Sequence, residues 1–425
     1  MERWMGIFGL GVLFLVCFLL SNNKRRINLR TVVVGFALQW FMAILLLKWP
    51  MGNQGLQWVS SKVVSFLGLV DHGTRFLFGK LSSPELIDVI GFQLALRILP
   101  IIIFFAAFMG ILYYIGIMPR VVQAFAWVMS RLMKTSGSES LSSTAEIFVG
   151  PTEAPLLIRP YLARCTVSEL NAIMVAGFGT IAGSVMAAYV SMGISAEHIM
   201  IASCMAAPAS LMIAKILFPE TEHSETAGDV RLPKLDVGVN LLDATARGVT
   251  DGLHLALNVA AMLIAFITLV AFADKILGYF DRLIDGQLLG YVIGATGEYS
   301  GFFPGSLKTI FGTIFSPLAF VMGIPRADIV EVGNLLGLKI SLNEFVAYAH
   351  LSELIKQGVL SEKTVIMTTY MLCGFANFGS IGIAIGGLSA LAPERRSDFA
   401  RLALKAMFGG AIVSCMTATI VGLLL

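Results

Sequence analysis

Apolar residues run along this chain in windows of about 20, each long enough to cross the hydrocarbon core of a bilayer. Eight such windows are present, at about 5–21, 31–49, 89–118, 168–190, 197–218, 250–278, 363–391 and 402–425. The stretch 51–88 alternates polar and apolar positions with Gly and Pro between them, so it reads as interfacial or external. Segments 138–165 and 327–355 also fail as spans. The first rises from Ser136-Gly137-Ser138, breaks at Gly150-Pro151 and returns through Arg159-Pro160. The second carries Asp328, Glu331, Asn334 and Lys339, breaks near Ser341 and returns through Glu344. Each limb holds about 10–14 residues, too few to cross. Two short helices meeting at a polar tip predict a re-entrant hairpin, tolerated only where protein or a water-filled cavity covers its backbone.

The same order of elements occurs twice. Span 89–118, amphipathic segment 121–134, hairpin 138–165, broken span 168–190 and span 197–218 form the first set. Span 250–278, segment 305–323, hairpin 327–355, broken span 363–391 and span 402–425 form the second. The expected fold is an all-α polytopic membrane protein in three parts: N-terminal scaffold spans over 1–88, a first repeat over 89–248 and a second over 249–425. The first set enters from outside and the second from inside, so the repeats are inverted in the membrane. Ser-Cys-Met recurs at 203–205 and 414–416, in matching spans.

Composition sharpens this reading. Hydrophobic residues make up 57% of the 425 and charged ones only 13%, against roughly 25% charged in soluble proteins; the mean hydropathy is +0.83. A formal net charge of +3 gives no argument for nucleic acid. Its distribution matters more, because Lys and Arg collect on the cytoplasmic side. With the N-terminus outside, the cytoplasm receives Lys24-Arg25-Arg26, then Arg120, Arg131 and Lys134, then Arg395-Arg396, Arg401 and Lys405. Loop 219–248 would lie there too, with Arg231, Lys234 and Arg247 among more numerous acids that count little in this rule. No basic run precedes the first window and no small-residue cleavage site follows it, which predicts an uncleaved span in the cytoplasmic (inner) membrane. The five cysteines have no pair spacing and the five histidines no metal-ligand spacing. Without a phosphate loop or a nucleophile beside a base, an enzyme is not expected.

Glu153 and Glu344 carry the chemistry. Each lies at a break in an apolar stretch, and each is followed by a second break: Gly177-Phe178-Gly179-Thr180-Ile181-Ala182-Gly183-Ser184 in one half, Gly374-Phe375-Ala376-Asn377-Phe378-Gly379-Ser380 in the other. Corresponding interruptions in two halves of a hydrophobic chain point to a transporter's binding site, and an intramembrane carboxylate is functional by default. Pro151 is expected to start the return helix of the first hairpin, putting Thr152 and Glu153 at its positive end. The competing roles are capping of its own helix or a pair with Arg159 for Glu153, and a salt bridge with Lys339 for Glu344. Gly177, Gly179 and Gly183 predict unwinding, which would free the Thr180 and Ile181 carbonyls, with the Thr180 hydroxyl, for a small cation; the same glycines also allow close helix packing. Asn377 and Ser380 share a face if their segment stays helical. Glu146, one turn before Val149, is a third intramembrane acid that suits a cation or a proton, or else a basic partner at the cytoplasmic end.

At these motifs the chain resembles a bacterial concentrative nucleoside transporter. The resemblance runs from about residue 89 to the C-terminus. It rests on Ile147-Phe148-Val149-Gly150, Thr152-Glu153-Ala154-Pro155, Gly177 through Val185, Pro219-Glu220-Thr221-Glu222, Asn343-Glu344-Phe345-Val346-Ala347-Tyr348 and Cys373-Gly374-Phe375-Ala376-Asn377. The first two spans match mainly around Ile27-Asn28-Leu29-Arg30-Thr31. The resemblance implies a homotrimer in membrane lipid, with hairpins and broken helices forming a transport domain that moves against a scaffold. It implies that Thr152, Glu153 and Val185 face the nucleobase, that Glu344, Asn377 and Ser380 hold the ribose hydroxyls, and that Phe375 packs nearby. The coupling cation would lie among Glu146, Val149, Thr180 and Ile181, with no other cofactor. Two positions depart from the family: Pro151 replaces a glutamine that would read the base edge, and Glu146 replaces the cation-site asparagine. Sodium is favoured over a proton because Thr180 still offers a hydroxyl; the alternative is proton coupling, or a different nucleoside-like solute.

Overall fold

The structure is a computed structural model that describes residues 2–82, 93–151, 153–228, 238–290 and 302–425. Among them helices account for all regular structure apart from one isolated bridge, between Ser136 and Ala227. In chain order the helices are α1 (Glu2–Leu20), α2 (Leu29–Ala43), α3 (Pro50–Gly68), α4 (Val70–Phe78), α5 (Leu94–Arg97), α6 (Leu99–Tyr114), α7 (Ile117–Met133) and α8 (Gly137–Ala145). After them come α9 (Arg159–Leu162), α10 (Val167–Gly179), α11 (Gly183–Ser191), α12 (Ala196–Leu217) and α13 (Leu241–Asp281). The last six are α14 (Leu307–Val321), α15 (Ile329–Ser341), α16 (Glu344–Gln357), α17 (Glu362–Leu372), α18 (Phe378–Leu391) and α19 (Arg396–Leu424).

Seven helical runs among the described residues are long and apolar enough to cross a membrane, and their burial sorts them into two groups. Val167–Ser191, Ala196–Leu217 and Pro393–Leu424 are 89%, 89% and 83% buried, while Arg3–Leu20, Leu29–Lys48, Ala95–Tyr114 and Leu241–Leu288 are 28%, 22%, 17% and 12% buried. The first group forms the centre of the chain and the second a periphery with apolar faces left open. Small residues draw the peripheral helices together, as in membrane packing generally: a Cβ on Gly248 of α13 would stand 2.6 Å from the Ala106 carbonyl of α6. The stretch after α2 is helical as α3 and α4, yet neither is among the runs apolar enough to span.

The seventh apolar window, 363–391, is divided into α17 and α18 by Cys373–Asn377. Gly374 makes the break, with φ +139°, a conformation that side chains rarely adopt. A Cβ there would also press on the Phe178 carbonyl at 2.8 Å, so the second break lies against the first. The first break falls at Thr180–Ala182, between α10 and α11, with Gly177 and Gly179 still inside the helix. Those two glycines serve approach rather than unwinding. A Cβ on Gly177 would stand 2.8 Å from Pro151 Cβ, and one on Gly179 would stand 2.7 Å from Ser210 Oγ.

Both hairpins are helix–turn–helix elements, and the first corrects an expectation. No α-helix begins at Pro151. After α8 the chain turns and returns as a 3-10 turn, Ala154–Ile158, before α9. A helix starting at Pro151 would need an amide N–H from Pro155, and proline has none to give. The second hairpin, α15 and α16, is regular: the Asn343 side chain caps α16 by accepting the Val346 N–H at 2.9 Å.

Polar ties hold each hairpin base to the broken span that follows it. Ser138 Oγ donates to Glu169 Oε1 of α10 at 2.8 Å, and Glu169 also accepts from Ser224 at 2.6 Å. Lys215 of α12 pairs with Glu139 at 2.8 Å and Glu220 at 3.2 Å. At the other base, Asp328 accepts from the hydroxyls of Ser361 at 2.8 Å and Thr364 at 2.6 Å.

Candidate functional site: a cavity between two hairpin tips and two broken helices

The second hairpin tip is a closed polar chain. Glu344, the first residue of α16, is 4% exposed. Its Oε1 accepts the Tyr189 hydroxyl at 3.1 Å and its Oε2 the Asn377 amide at 3.0 Å. Asn377 in turn caps α18, its Oδ1 accepting the Ser380 N–H at 2.7 Å. The expected shared helical face of Asn377 and Ser380 is therefore corrected: Asn377 stands just before α18 and its carbonyl holds the backbone of Ser380, because Gly374 has already ended the preceding helix. Lys339 makes no bridge to Glu344. Its Nζ donates to the Met371 carbonyl at 2.8 Å and the Ser414 hydroxyl at 2.7 Å.

Tyr189 was not legible as a site residue. Its ring stacks on Tyr348 with centroids 4.2 Å apart and meets Phe345 edge-on at 5.5 Å. The available signal was general: a buried tyrosine hydroxyl in an apolar helix needs a partner, and here that partner is the carboxylate across the site.

The first hairpin tip is looser. Among the described residues Glu153 Oε2 accepts one hydrogen bond, from the Gly150 N–H at 3.4 Å, and Glu153 forms no ion pair with Arg159. Thr152 lies outside the described residues. The tip is fastened to the first break by backbone, the Gly183 N–H donating to the Phe148 carbonyl at 3.1 Å. Behind it, Glu146 ends α8 with no solvent exposure. Ser142 Oγ reaches its Oε1 at 3.4 Å, and its Oε2 has no hydrogen-bond partner. No lysine or arginine pairs with it among the described residues. Its Oε1 stands 3.5 Å from where a Gly177 Cβ would be, against the end of α10.

The other cation candidates gather at the same junction. Val149 and Ile181 are buried at 6% and 1% exposure. The Thr180 hydroxyl gives its proton to the Ala176 carbonyl at 2.8 Å, which leaves its oxygen lone pairs available. The Thr180 carbonyl accepts the Phe375 N–H at 3.2 Å, so one of its two lone pairs is committed to the second break.

A cavity of about 130 Å³ lies between these elements, and Glu153, Val185, Phe375 and Ser380 are all on its wall with Pro151. Glu344 and Asn377 are not on that wall; they join it through Ser380, whose N–H Asn377 accepts. A second cavity, of about 400 Å³, is lined by Tyr113, Arg247, Asp251 and again Glu153. Glu153 borders both.

Known proteins place this arrangement. Models of the Na+ dependent nucleoside transporter C-terminus and N-terminus match residues 198–422 and 8–81, and a nucleoside recognition (gate) model matches 95–196. The chain is 43% identical to an uncharacterized transporter of Haemophilus influenzae, over 98% of this chain and 96% of that one. It is 41% identical to the nucleoside permease NupC of Helicobacter pylori, again over 98% and 96%. It is 38% identical to sodium/nucleoside cotransporter 1 of Rattus norvegicus, over all of this chain and 64% of that longer one. Among solved structures it resembles CNTnw in an inward-facing substrate-bound state, with a TM-score of 0.91 and 39% identity over 100% and 98% of the two chains. An outward-facing variant of CNTnw gives 0.92 at the same identity and coverage. With family models covering both ends and the middle of the sequence, this chain belongs to the Na+ dependent nucleoside transporters, a family of transporters and not of enzymes.

Proposed function

We propose that this protein imports nucleosides across the cytoplasmic membrane by symport with a cation, sodium in preference to a proton. One observation carries the reading: the cavity whose wall holds Glu153, Val185, Phe375 and Ser380 is joined, through the Ser380 N–H, to the Tyr189–Glu344–Asn377 chain. An ionised carboxylate backed by an amide accepts hydrogen bonds from vicinal hydroxyls, so Glu344, Asn377 and Ser380 take the ribose. Val185 and Phe375 offer apolar surface to a flat base, and Glu153, with Thr152, accepts from its amino or imino edge. Pro151 brings no side-chain amide, and a site that lacks a donor discriminates weakly between bases.

The cation belongs at the junction of Glu146, Val149, Thr180 and Ile181. A fully buried carboxylate oxygen without a donor invites a positive charge, and unwound carbonyls with a hydroxyl are the oxygen donors a transporter offers sodium. The second reading, a proton in place of sodium, rests on the same Glu146, since a carboxylate can carry one. Homotrimeric assembly in the lipid bilayer, an outside N-terminus, and Lys24-Arg25-Arg26 with Arg395-Arg396 in the cytoplasm complete the proposal; the open apolar faces of the peripheral helices support contact with lipid and with neighbouring copies.

Radiolabelled uridine and adenosine uptake into proteoliposomes, with sodium and proton gradients imposed separately, tests it. Uptake is expected to follow the sodium gradient. Uptake that persists in choline and collapses with the proton gradient would replace the ion. No uptake under either gradient, from inserted protein, would overturn nucleoside as the cargo.

A further inference from the structure

The two repeats end the first limb of their hairpins on opposite charges. Glu146 closes α8 and Lys339 lies in the last turn of α15, and both are fully buried. Each abuts the C-terminal end of the first half-helix of the broken span in its own repeat. Glu146 Oε1 lies against Gly177 near the end of α10, and Lys339 Nζ donates to the Met371 carbonyl in the last turn of α17. A helix C-terminus leaves its final carbonyls without intrahelical donors and carries partial negative charge. In the first repeat a carboxylate adds to that negative end, and no side-chain cation answers it among the described residues. In the second repeat an ammonium occupies it.

The donor sets correspond as well. Lys339 is held by a helix-end carbonyl and by Ser414 Oγ, whose own proton goes to the Ala411 carbonyl at 3.0 Å, leaving a lone pair for the ammonium. Thr180 in the first repeat has the same habit, its proton turned back onto Ala176. A carbonyl and a proton-relieved hydroxyl are what a sodium ion would find in either place.

We propose that the Lys339 ammonium is the second repeat's resident cation: it fills the position equivalent to the first repeat's ion site, so one external cation, bound in the first repeat, drives each cycle. This rests on the ion-symport reading above. It goes beyond a structural tie between α15, α17 and α19, because a mere tie would not change how many ions the protein binds.

Equilibrium binding of radioactive sodium to the purified full-length protein decides between the two. Lys339→Ala, which removes the ammonium and leaves its oxygen partners facing a void, is expected to bind one more sodium per chain than the parent. The sodium dependence of its uptake should steepen, with a Hill coefficient rising from about one towards two. Lys339→Met, which refills the space with an apolar chain, should bind no additional sodium and lose at least tenfold in uptake. An unchanged sodium count in Lys339→Ala overturns the proposal. Should Lys339→Ala fail to fold, the parent's charge-to-nucleoside flux ratio decides: one cation per nucleoside upholds the proposal and two overturn it. Failure of the nucleoside reading would show separately, as no uptake by the parent, and the difference in sodium count would still be readable.

Discussion

At the tip of hairpin 2 both oxygens of the buried acid are supplied, Glu344 taking the Tyr189 hydroxyl and the Asn377 amide. At hairpin 1 the supply fails: Glu146 Oε2 has no donor, and Glu153 has one long backbone contact at 3.4 Å. Lysines show the same asymmetry. Hairpin 2 holds Lys339 near its tip, whereas hairpin 1 has its lysine contact at the base, through Lys215 and Glu139. A buried acceptor without a donor costs about 1–3 kcal/mol, and more when charged, so such a group persists where a ligand completes it. Hairpin 2 thus holds a buried acid with both oxygens supplied and hairpin 1 one with an oxygen unsupplied; under the function proposed above, hairpin 1 is the half that is finished by what binds.

The largest expected effect comes from the base of hairpin 1. Lys215→Met leaves Glu139 buried without its partner, and breaking a buried pair in this way costs about 3–5 kcal/mol. Thermal unfolding in detergent should show it as a clear loss of stability, with KM unchanged in the protein that remains folded. An unaltered melting temperature would mean that the base of hairpin 1 does not depend on this pair.

Next comes hairpin 2. Glu344→Gln sets an amide against the Asn377 amide and removes the charge that holds it; losing charge-assisted bonds worth up to about 3 kcal/mol lowers uptake roughly 100-fold. Membrane insertion and the size-exclusion profile should be normal. Uptake near the parent level would remove Glu344 from the site.

At hairpin 1, Glu146→Gln is expected to abolish ion-dependent stabilisation. A cation at about 100 times its dissociation constant stabilises the parent by roughly 2.7 kcal/mol, and a thermal-shift titration should find that increment missing in the variant. Retained stabilisation by the coupling ion would place the ion elsewhere and dissolve the contrast between the hairpins.

The smallest effect is expected at Tyr189. Tyr189→Phe keeps the stack on Tyr348 and deletes one hydrogen bond, so KM for uridine should rise about 3- to 10-fold, in line with about 0.5–1.5 kcal/mol. The rise should be smaller for nucleosides lacking ribose hydroxyls. An equal rise for both classes would make Tyr189 a packing residue.

Most of the helical plan was legible because apolar runs and their breaks are local properties. The windows at 5–21, 197–218 and 402–425 correspond to α1, α12 and α19. Glu153, Val185, Phe375 and Ser380, far apart in sequence, line one cavity. The details that were misread depend on which hydrogen bonds the chain can make at a break. Pro151 starts no helix because Pro155 follows it, and Asn377 caps a helix rather than lying within one. Lys339, five residues from Glu344, could have been its partner by sequence; the carbonyl of Met371 and the hydroxyl of Ser414 claim it instead.

The sequence alone determined that this chain lives in a membrane and that acids stand at breaks in its apolar stretches, since transfer to hydrocarbon penalises every polar residue that lacks a reason to be there. Only the tertiary structure decided which polar group answers which. Tyr189 reaches Glu344 from 155 positions away, and Ser414 reaches Lys339 from 75. Hydrogen bonds are made over about 3 Å whatever the separation along the chain, so pairing belongs to the fold and not to the spacing.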